Sequence, residues 1–346
     1  MKSHKTDPVE HLLVVRLTDL GRTAMVVLAV GELRATHPEL HITVATDAQY
    51  VPLFAKIKNI DFIAFSKGDL YRGVVGHLRL VRDLKRLRVD GIADLEGSSR
   101  SWRMLLGVRH RCRHASIESG RRQKELMTRK FRKVLIQHPS TLQRATDTFN
   151  KLGFEVSMPA FVRRAPRNKQ SSLLTNLAGK KEGPWVGIAP FSKHKGKCYP
   201  LPQTDRLVEL LLKSCRRVFI LGEGRYEQQF GEGVERRRRG VVSLVGRCTL
   251  PEELEALSVL DAVVTVDNPV LHLCSLAGTP VVSLWGATHP YLDSCGYGQR
   301  PDSALGLDMP CRPCSASGQT ACLFGHYGCM LGITPESIAG KVEKLL

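Results

Sequence analysis

The sequence predicts an α/β protein built as two successive Rossmann-like domains. Three observations predict it. Short apolar, β-branched runs alternate with helix-length segments along the whole chain. The alternation is interrupted once, by a polar, Pro-containing piece around residues 163–172, and then restarts at Trp185. A length of 346 residues is enough for two separate cores. The expected division is an N-terminal domain over residues 1–165, a linker over 166–180, and a C-terminal domain over 181–346 with a Cys-rich tail and a final helix.

Taken in order, Leu12 to Leu17 is the first strand, and Thr18 to Thr23 is a loop leading into a helix over Ala24 to Ala35 that His37-Pro38 ends. Strands follow over Ile42 to Thr46 and Phe62 to Phe65, with a short helix near Tyr50 to Ile57 between them. Leu78 to Leu87 has helical spacing with arginines on its other face. Gly91 to Leu95 is the next strand. A basic segment, Ile117 to Ile136, precedes a helix over Ser140 to Leu152. In the second half the strands are Trp185 to Ala189, Val218 to Leu221 and Val241 to Val245, with helices over Gln203 to Leu212, through Arg236 to Arg239, and after Pro251. Alternation of this kind within each half means parallel sheets covered on both faces.

The stretch Ala262 to Pro290 carries the clearest local signals. Ala262 to Val266 and Val281 to Trp285 are buried strands around a helix over Val270 to Ala277. Asn268 stands where an N-cap belongs, Pro269 suits the first helical position, and Gly278 suits the C-cap. Such a unit puts Asp267 and His272 at the carboxyl end of a sheet, where ligands bind in open α/β folds. Amides at the helix start favour an anion such as a diphosphate.

Composition narrows the function classes. No run approaches the roughly 18 apolar residues a membrane span needs. The first apolar run is broken by Arg16 after five residues, so it reads as a strand and not a signal peptide. A cytoplasmic protein is therefore expected. The formal net charge of +18 favours anionic partners. Aromatic content of 6%, dispersed basic residues and the lack of a helix-turn-helix or RNP-like string argue against nucleic acid. Two readings of the charge remain side by side: contact with a phosphoglycolipid or the inner-membrane surface, and solvated basic helix faces.

The string Asp267-x4-His272-Leu-x-x-Leu-x-Gly278-Thr279-Pro280-Val281-Val282, followed by Leu284-Trp285-Gly286-Ala287-Thr288-His289-Pro290, resembles glycosyltransferase family 9. This is the family of ADP-heptose:lipopolysaccharide heptosyltransferases. Several separate motifs match in order over nearly the whole chain. The resemblance implies a GT-B architecture, two facing Rossmann-like domains with the C-terminal helix packing back on the first. It also implies an inverting, metal-independent transfer of a sugar, with ADP-heptose as donor and a lipopolysaccharide-core-type glycolipid as acceptor. No cofactor is required beyond the nucleotide sugar.

Sugar transfer needs a base for the acceptor hydroxyl, charge to hold the leaving diphosphate, and a nucleoside pocket. The loop after strand Trp185 to Ala189 carries Lys193, Lys195 and Lys197, with Gly196 allowing close approach. In the resembled family a lysine before an aromatic-Pro step binds the donor phosphates. Lys197, before Cys198-Tyr199-Pro200, takes that place with a shift of one residue. Glu223 and Glu227, in the Gly-rich turn after a strand, are candidates to accept from ribose hydroxyls. Asp267 and His272 match the family's donor-binding pair, with Asn268-Pro-Val where Ser/Thr-Gly-Pro is usual.

The family's first loop reads Arg-Leu-Ser-x-x-Gly-Asp, its last Asp being the proposed base. Here Arg16-Leu17-Thr18-Asp19-Leu20-Gly21 is followed by Arg22, and a guanidinium cannot accept a proton at neutral pH. Asp19 serves instead, or Glu96 does, or the chain is a non-catalytic relative in which Arg22 binds a phosphate. The run Asp94-Leu-Glu96-Gly97-Ser98-Ser99-Arg100-Ser101 resembles the family's acceptor loop, so Arg100 and Ser101 are acceptor candidates. Lys124, with Arg121, Arg122, Arg129 and Lys130, extends a basic face toward phosphorylated lipid. Cys311, Cys314, Cys322 and Cys329 could hold a structural zinc, but the second pair lacks the short spacing of a zinc site.

Overall fold

The structure, a computed structural model, describes residues 8–66, 73–161 and 170–346. Residues 166–169 of the expected linker thus fall outside the described part. The chain folds as two compact units, residues 1–119 with 139–160, and residues 120–138 with 161–346.

The elements run β1 (His11–Val15), α1 (Leu20–Thr36), β2 (His41–Asp47), β3 (Ile60–Phe65), α2 (Gly73–Arg86), β4 (Gly91–Asp94), α3 (Ser99–Leu105) and β5 (Arg113–Ser116). Next come α4 (Arg121–Thr128), α5 (Thr141–Asn150), α6 (Ser172–Ala178), β6 (Trp185–Ala189), α7 (Leu201–Leu211), β7 (Arg217–Ile220), α8 (Arg225–Arg237) and β8 (Val241–Ser243). The chain ends with α9 (Leu250–Val259), β9 (Ala262–Val266), α10 (Pro269–Ala277), β10 (Val281–Leu284), β11 (Ala304–Leu305), α11 (Gly328–Leu331) and α12 (Pro335–Glu343).

The first unit holds a five-stranded sheet of order β3-β2-β1-β4-β5, and every pairing is parallel. The inner strands β1, β2 and β4 are largely apolar and buried on both faces, as the centre of a parallel sheet requires, while the edge strands β3 and β5 are partly exposed. Helix α1 begins at Leu20 because Asp19 caps it, its side chain accepting from Arg22 N at 3.0 Å. The sequence, which lacks an acidic first turn and reads Thr18 to Thr23 as loop, hides that start. Helix α1 packs on α5, so the segment 139–160 returns to complete this unit.

The second unit holds a six-stranded parallel sheet of order β11-β10-β9-β6-β7-β8. Its core joins Val186, Ile188, Val218, Ile220, Val264 and Leu284 with Leu207 and Leu211 of α7. Fully burying one such side chain contributes about 1.5–3 kcal/mol. The C-cap Gly278 takes φ 81°, a left-handed conformation that only glycine adopts without strain. The final helix α12 lies on α7, β9 and β10 of its own unit. Both sheets have a point where the strand order reverses, between β1 and β4 and between β6 and β9. Loops leaving the carboxyl ends of the strands on either side of such a point form a crevice suited to ligands.

Candidate functional site

In the second unit, β6 and β9 run side by side in register, Ala189 opposite Thr265. Their carboxyl ends launch the two loops that the sequence singles out. Asn268 ties these together. Its Oδ1 accepts from Val270 N at 3.0 Å and from Thr265 Oγ1 at 2.8 Å, while its Nδ2 donates to Phe191 O at 2.9 Å and Ala189 O at 3.3 Å. One side chain thereby caps α10 and fixes the course of the chain after β6. A shorter Ser or Thr at this position would not span the gap with two donors and an acceptor.

Lys197 follows on the same loop. Its ammonium stands 3.4 Å from the Asp267 carboxylate, and the lysine side chain is only 14% exposed. The stem is so closely covered that a Cβ on Gly318 would meet it at 2.5 Å. Gly196, just before, is required by contact as well: a Cβ there would stand 2.9 Å from that of Ala287. Ala287 N donates to Gly196 O at 2.9 Å, which joins the loop after β6 to the loop after β10. Lys193 and Lys195 are exposed on the same loop, Lys195 with its ammonium 5.3 Å from the Tyr327 ring centroid.

Two polar atoms in this region are buried without a hydrogen-bond partner among the described residues, His272 Nδ1 in the first turn of α10 and Thr288 Oγ1 in the loop after β10. Buried polar groups are nearly always paired, so unpaired ones at a switch point fit a ligand that supplies the partner. The amide-rich start of α10 adds partial positive charge at the same end.

After β7, Glu227 in the first turn of α8 turns back to accept from Glu223 N at 2.7 Å. Burial pushes Glu227 up to about 7, and the nearby Glu223 charge adds to the rise. Glu253, on α9, is likewise pushed up to about 7 by burial and by Glu223. The sequence gives no reason to single out Glu253, which reads as an ordinary exposed first-turn acid of a capped helix. Arg312 also escapes a sequence reading. Its guanidinium is buried and donates to Gly286 O at 2.6 Å, Thr288 O at 3.3 Å and Leu307 O, holding the loop after β10.

In the first unit the loops after β1 and β4 are locked to each other. Arg16, 3% exposed, reaches Leu95 O at 3.1 Å and Glu96 Oε2 at 3.3 Å. Glu96 also accepts from Leu17 N at 3.1 Å, Thr18 N at 3.2 Å and Thr18 Oγ1 at 2.6 Å. Its side chain is 7% exposed, and its lone pairs are taken by the loop it holds. Asp94 is buried and accepts from Gly97 N, Glu96 N and Ser101 Oγ at 2.9–3.1 Å. Burial raises the Asp94 pKa, and these hydrogen bonds oppose the rise.

Asp19 is different. Its carboxylate is 46% exposed, with the Arg22 guanidinium 3.5 Å away. Its backbone sits at φ 69°, which is strained for a residue with a Cβ and is retained where surrounding contacts dictate it. Of the acceptor candidates, Arg100 is exposed on α3. Ser101 is fully buried, its hydroxyl spent on Asp94 and Ser98 O, so it positions the loop and does not reach solvent. Lys124 lies on α4, which belongs to the second unit and not with Arg100 and Arg22. The four tail cysteines line one small cavity with Met309 and Phe324. Among the described residues no group of three or more His, Cys, Asp or Glu side chains is arranged to hold a metal ion.

A family model described as glycosyltransferase family 9 (heptosyltransferase) matches residues 77–322, most of the chain and all the donor-side loops above. The chain belongs to glycosyltransferase family 9. A curated family relative, lipooligosaccharide heptosyltransferase 2 of Haemophilus influenzae, is 27% identical over 186 residues. That match spans about half of each protein, 51% of this chain and 50% of the relative. Among solved structures, the family 9 glycosyl transferase of Veillonella parvula is similar with a TM-score of 0.72 at 14% identity, over 98% of both chains. The ADP-heptose lps heptosyltransferase II of E. coli gives 0.66 at 17% identity, over 97% of this chain and 98% of its own. These similarities show that the family fold extends over the whole length.

Proposed function

We propose that this family 9 chain is an inverting glycosyltransferase that moves a heptose from ADP-heptose onto a lipopolysaccharide-core-type glycolipid at the cytoplasmic face of the inner membrane. The observation that carries the reading is the Lys197–Asp267 pair beside the Asn268 bridge, at the switch point of the second sheet. An oriented ammonium, a helix start and two unpaired buried polar atoms suit a nucleoside diphosphate. In this reading Lys197, with Lys193 and Lys195, meets the diphosphate charge, so that no metal ion is needed. His272 and Asp267 orient the donor, and Glu227 and Glu223 accept from the ribose hydroxyls.

The acceptor hydroxyl loses its proton to Asp19 as its oxygen attacks the anomeric carbon. The bond to the diphosphate breaks on the opposite face and ADP departs, which inverts the configuration. Asp19 suits the base better than Glu96 because its carboxylate is half exposed, whereas Glu96 is saturated by Arg16, Leu17 and Thr18. Arg22 and Arg100 are left to hold an anionic group of the acceptor. Release of ADP from ADP-heptose in the presence of extracted core glycolipid tests the proposal.

A second reading, a non-catalytic relative that binds nucleotide sugar or glycolipid, is favoured by one feature, the Arg22 guanidinium beside the only exposed carboxylate of the first loop. ADP binding without ADP release under any acceptor condition would establish it.

A further inference from the structure

We propose that the strap from Arg129 to Gln137 is a membrane-docking element that seats its apolar side chains in an anionic lipid surface. The strap follows α4 in the second unit and has no regular secondary structure. Phe131 is 74% exposed, Ile136 67%, Leu135 49% and Val134 36%. Four large apolar side chains within six residues, all facing solvent, are not what a water-exposed loop ordinarily carries.

The strap does not hang free. Val134 N donates to Leu126 O at 3.2 Å, and His138 N donates to Tyr291 O at 2.8 Å. Gln137 Nε2 reaches Asp293 O at 3.0 Å, and the Lys133 ammonium turns inward to Pro313 O at 2.7 Å and to Cys311 O. Arg132, between the exposed Phe131 and the inward Lys133, is held at φ 50°, a left-handed conformation unusual for a long side chain. Anchoring of this kind presents the apolar side chains, and none of the described residues buries them.

Charge decides the occupant. Arg129, Lys130 and Arg132 are exposed among the apolar residues, and Lys130 stands 5.6 Å from the Phe131 ring centroid. No Asp or Glu occurs between Glu125 and Asp147. An acid-free segment in which cations flank aromatic and aliphatic side chains matches a bilayer with anionic headgroups. The apolar groups enter the acyl boundary and the long cations stay at the phosphates. The inference deepens the function proposed above, since a glycolipid acceptor would be met on such a surface, but vesicle binding does not depend on that reading.

The test is co-sedimentation of the full chain with vesicles of phosphatidylglycerol and phosphatidylcholine, and with vesicles of phosphatidylcholine alone. The variants are Phe131→Ser/Ile136→Ser and Arg132→Glu, and ADP calorimetry runs in parallel as a check on the fold and the donor half. The expected result is binding to the anionic vesicles, weaker by about tenfold or more on pure phosphatidylcholine and in both variants, with ADP affinity unchanged. Absence of vesicle binding, or binding that the variants leave intact, overturns the proposal. A dimer that Phe131→Ser/Ile136→Ser dissociates, with vesicle binding unaltered, overturns it in favour of a second copy of the chain. Anionic-vesicle binding that the variants weaken, in a protein that does not bind ADP, would sink the donor reading and leave the docking element standing.

Discussion

The Lys197 ammonium lies 3.4 Å from the Asp267 carboxylate, and the two residues come from loops leaving neighbouring strands on either side of the switch point. The pair orients a mostly covered lysine before any ligand arrives. If the carboxylate acts through the lysine, the two residues are coupled. Asp267→Asn should weaken ADP binding several-fold, and the double variant Lys197→Met/Asp267→Asn should bind no worse than Lys197→Met alone. Additive losses in a calorimetric double-mutant cycle would show that the residues act independently.

Asn268 holds four partners that an alanine cannot replace. Asn268→Ala removes the cap of α10 and leaves the Phe191 and Ala189 carbonyls without their donor. A loss of about 2–3 kcal/mol in urea unfolding is expected, with weaker ADP binding in the protein that remains folded. Asn268→Asp should keep the cap but not the carbonyl bonds, and so lose less.

The two carboxylates of the first unit should part company on substitution. Asp19→Asn is expected to lower turnover by about 10²–10⁴ with little change in stability, because the asparagine keeps an Oδ1 that caps α1. Glu96→Gln should act the other way. It breaks the pairing with buried Arg16 and costs about 3 kcal/mol or more of stability, with no comparable loss of turnover per folded molecule. Equal turnover in Asp19→Asn and wild type would remove Asp19 from the base role.

Ionisation of the buried acids sets a pH dependence. Glu253 and Glu227 are pushed up to about 7 from an ordinary 4.5, with burial the larger cause in each. Between those values the folded chain keeps protons that the unfolded chain has released, so stability falls as pH rises through the window and levels off above it. Glu253→Gln should match wild type at pH 5 and exceed it by about 1–2 kcal/mol at pH 8, allowing for partial solvent screening. Urea midpoints at the two pH values decide this. Identical slopes in variant and wild type would mean that Glu253 is not the group responsible.

Much of this was legible in the sequence where physical signals coincide. Strand β9, helix α10 and strand β10 sit within one residue of the expected positions, because β-branched runs, an Asn-Pro helix start and a Gly end all agree there. Strand β5, Arg-His-Ala-Ser, is invisible because a short edge strand needs no apolar pattern. The stretch Ile117 to Ile136 reads as a basic segment of the first half, yet residues 120–138 pack with the second unit. What places it there is hydrogen bonding to main-chain carbonyls, from the Lys133 ammonium to Cys311 and Pro313 and from His138 N to Tyr291, which no periodicity records. At the candidate site the residue types were readable, but their division of labour was not. Glu96 is saturated by the loop after β1 and Ser101 by neighbours in its own loop, while Asp19 stays half exposed. Arg312 was masked by the cysteines around it.

The most direct measurement is a calorimetric titration of ADP into the wild-type chain and into Lys197→Met. Saturable binding by wild type, weakened about tenfold or more in the variant, is the result the account predicts. No binding by wild type, or equal affinity in the two proteins, would contradict it.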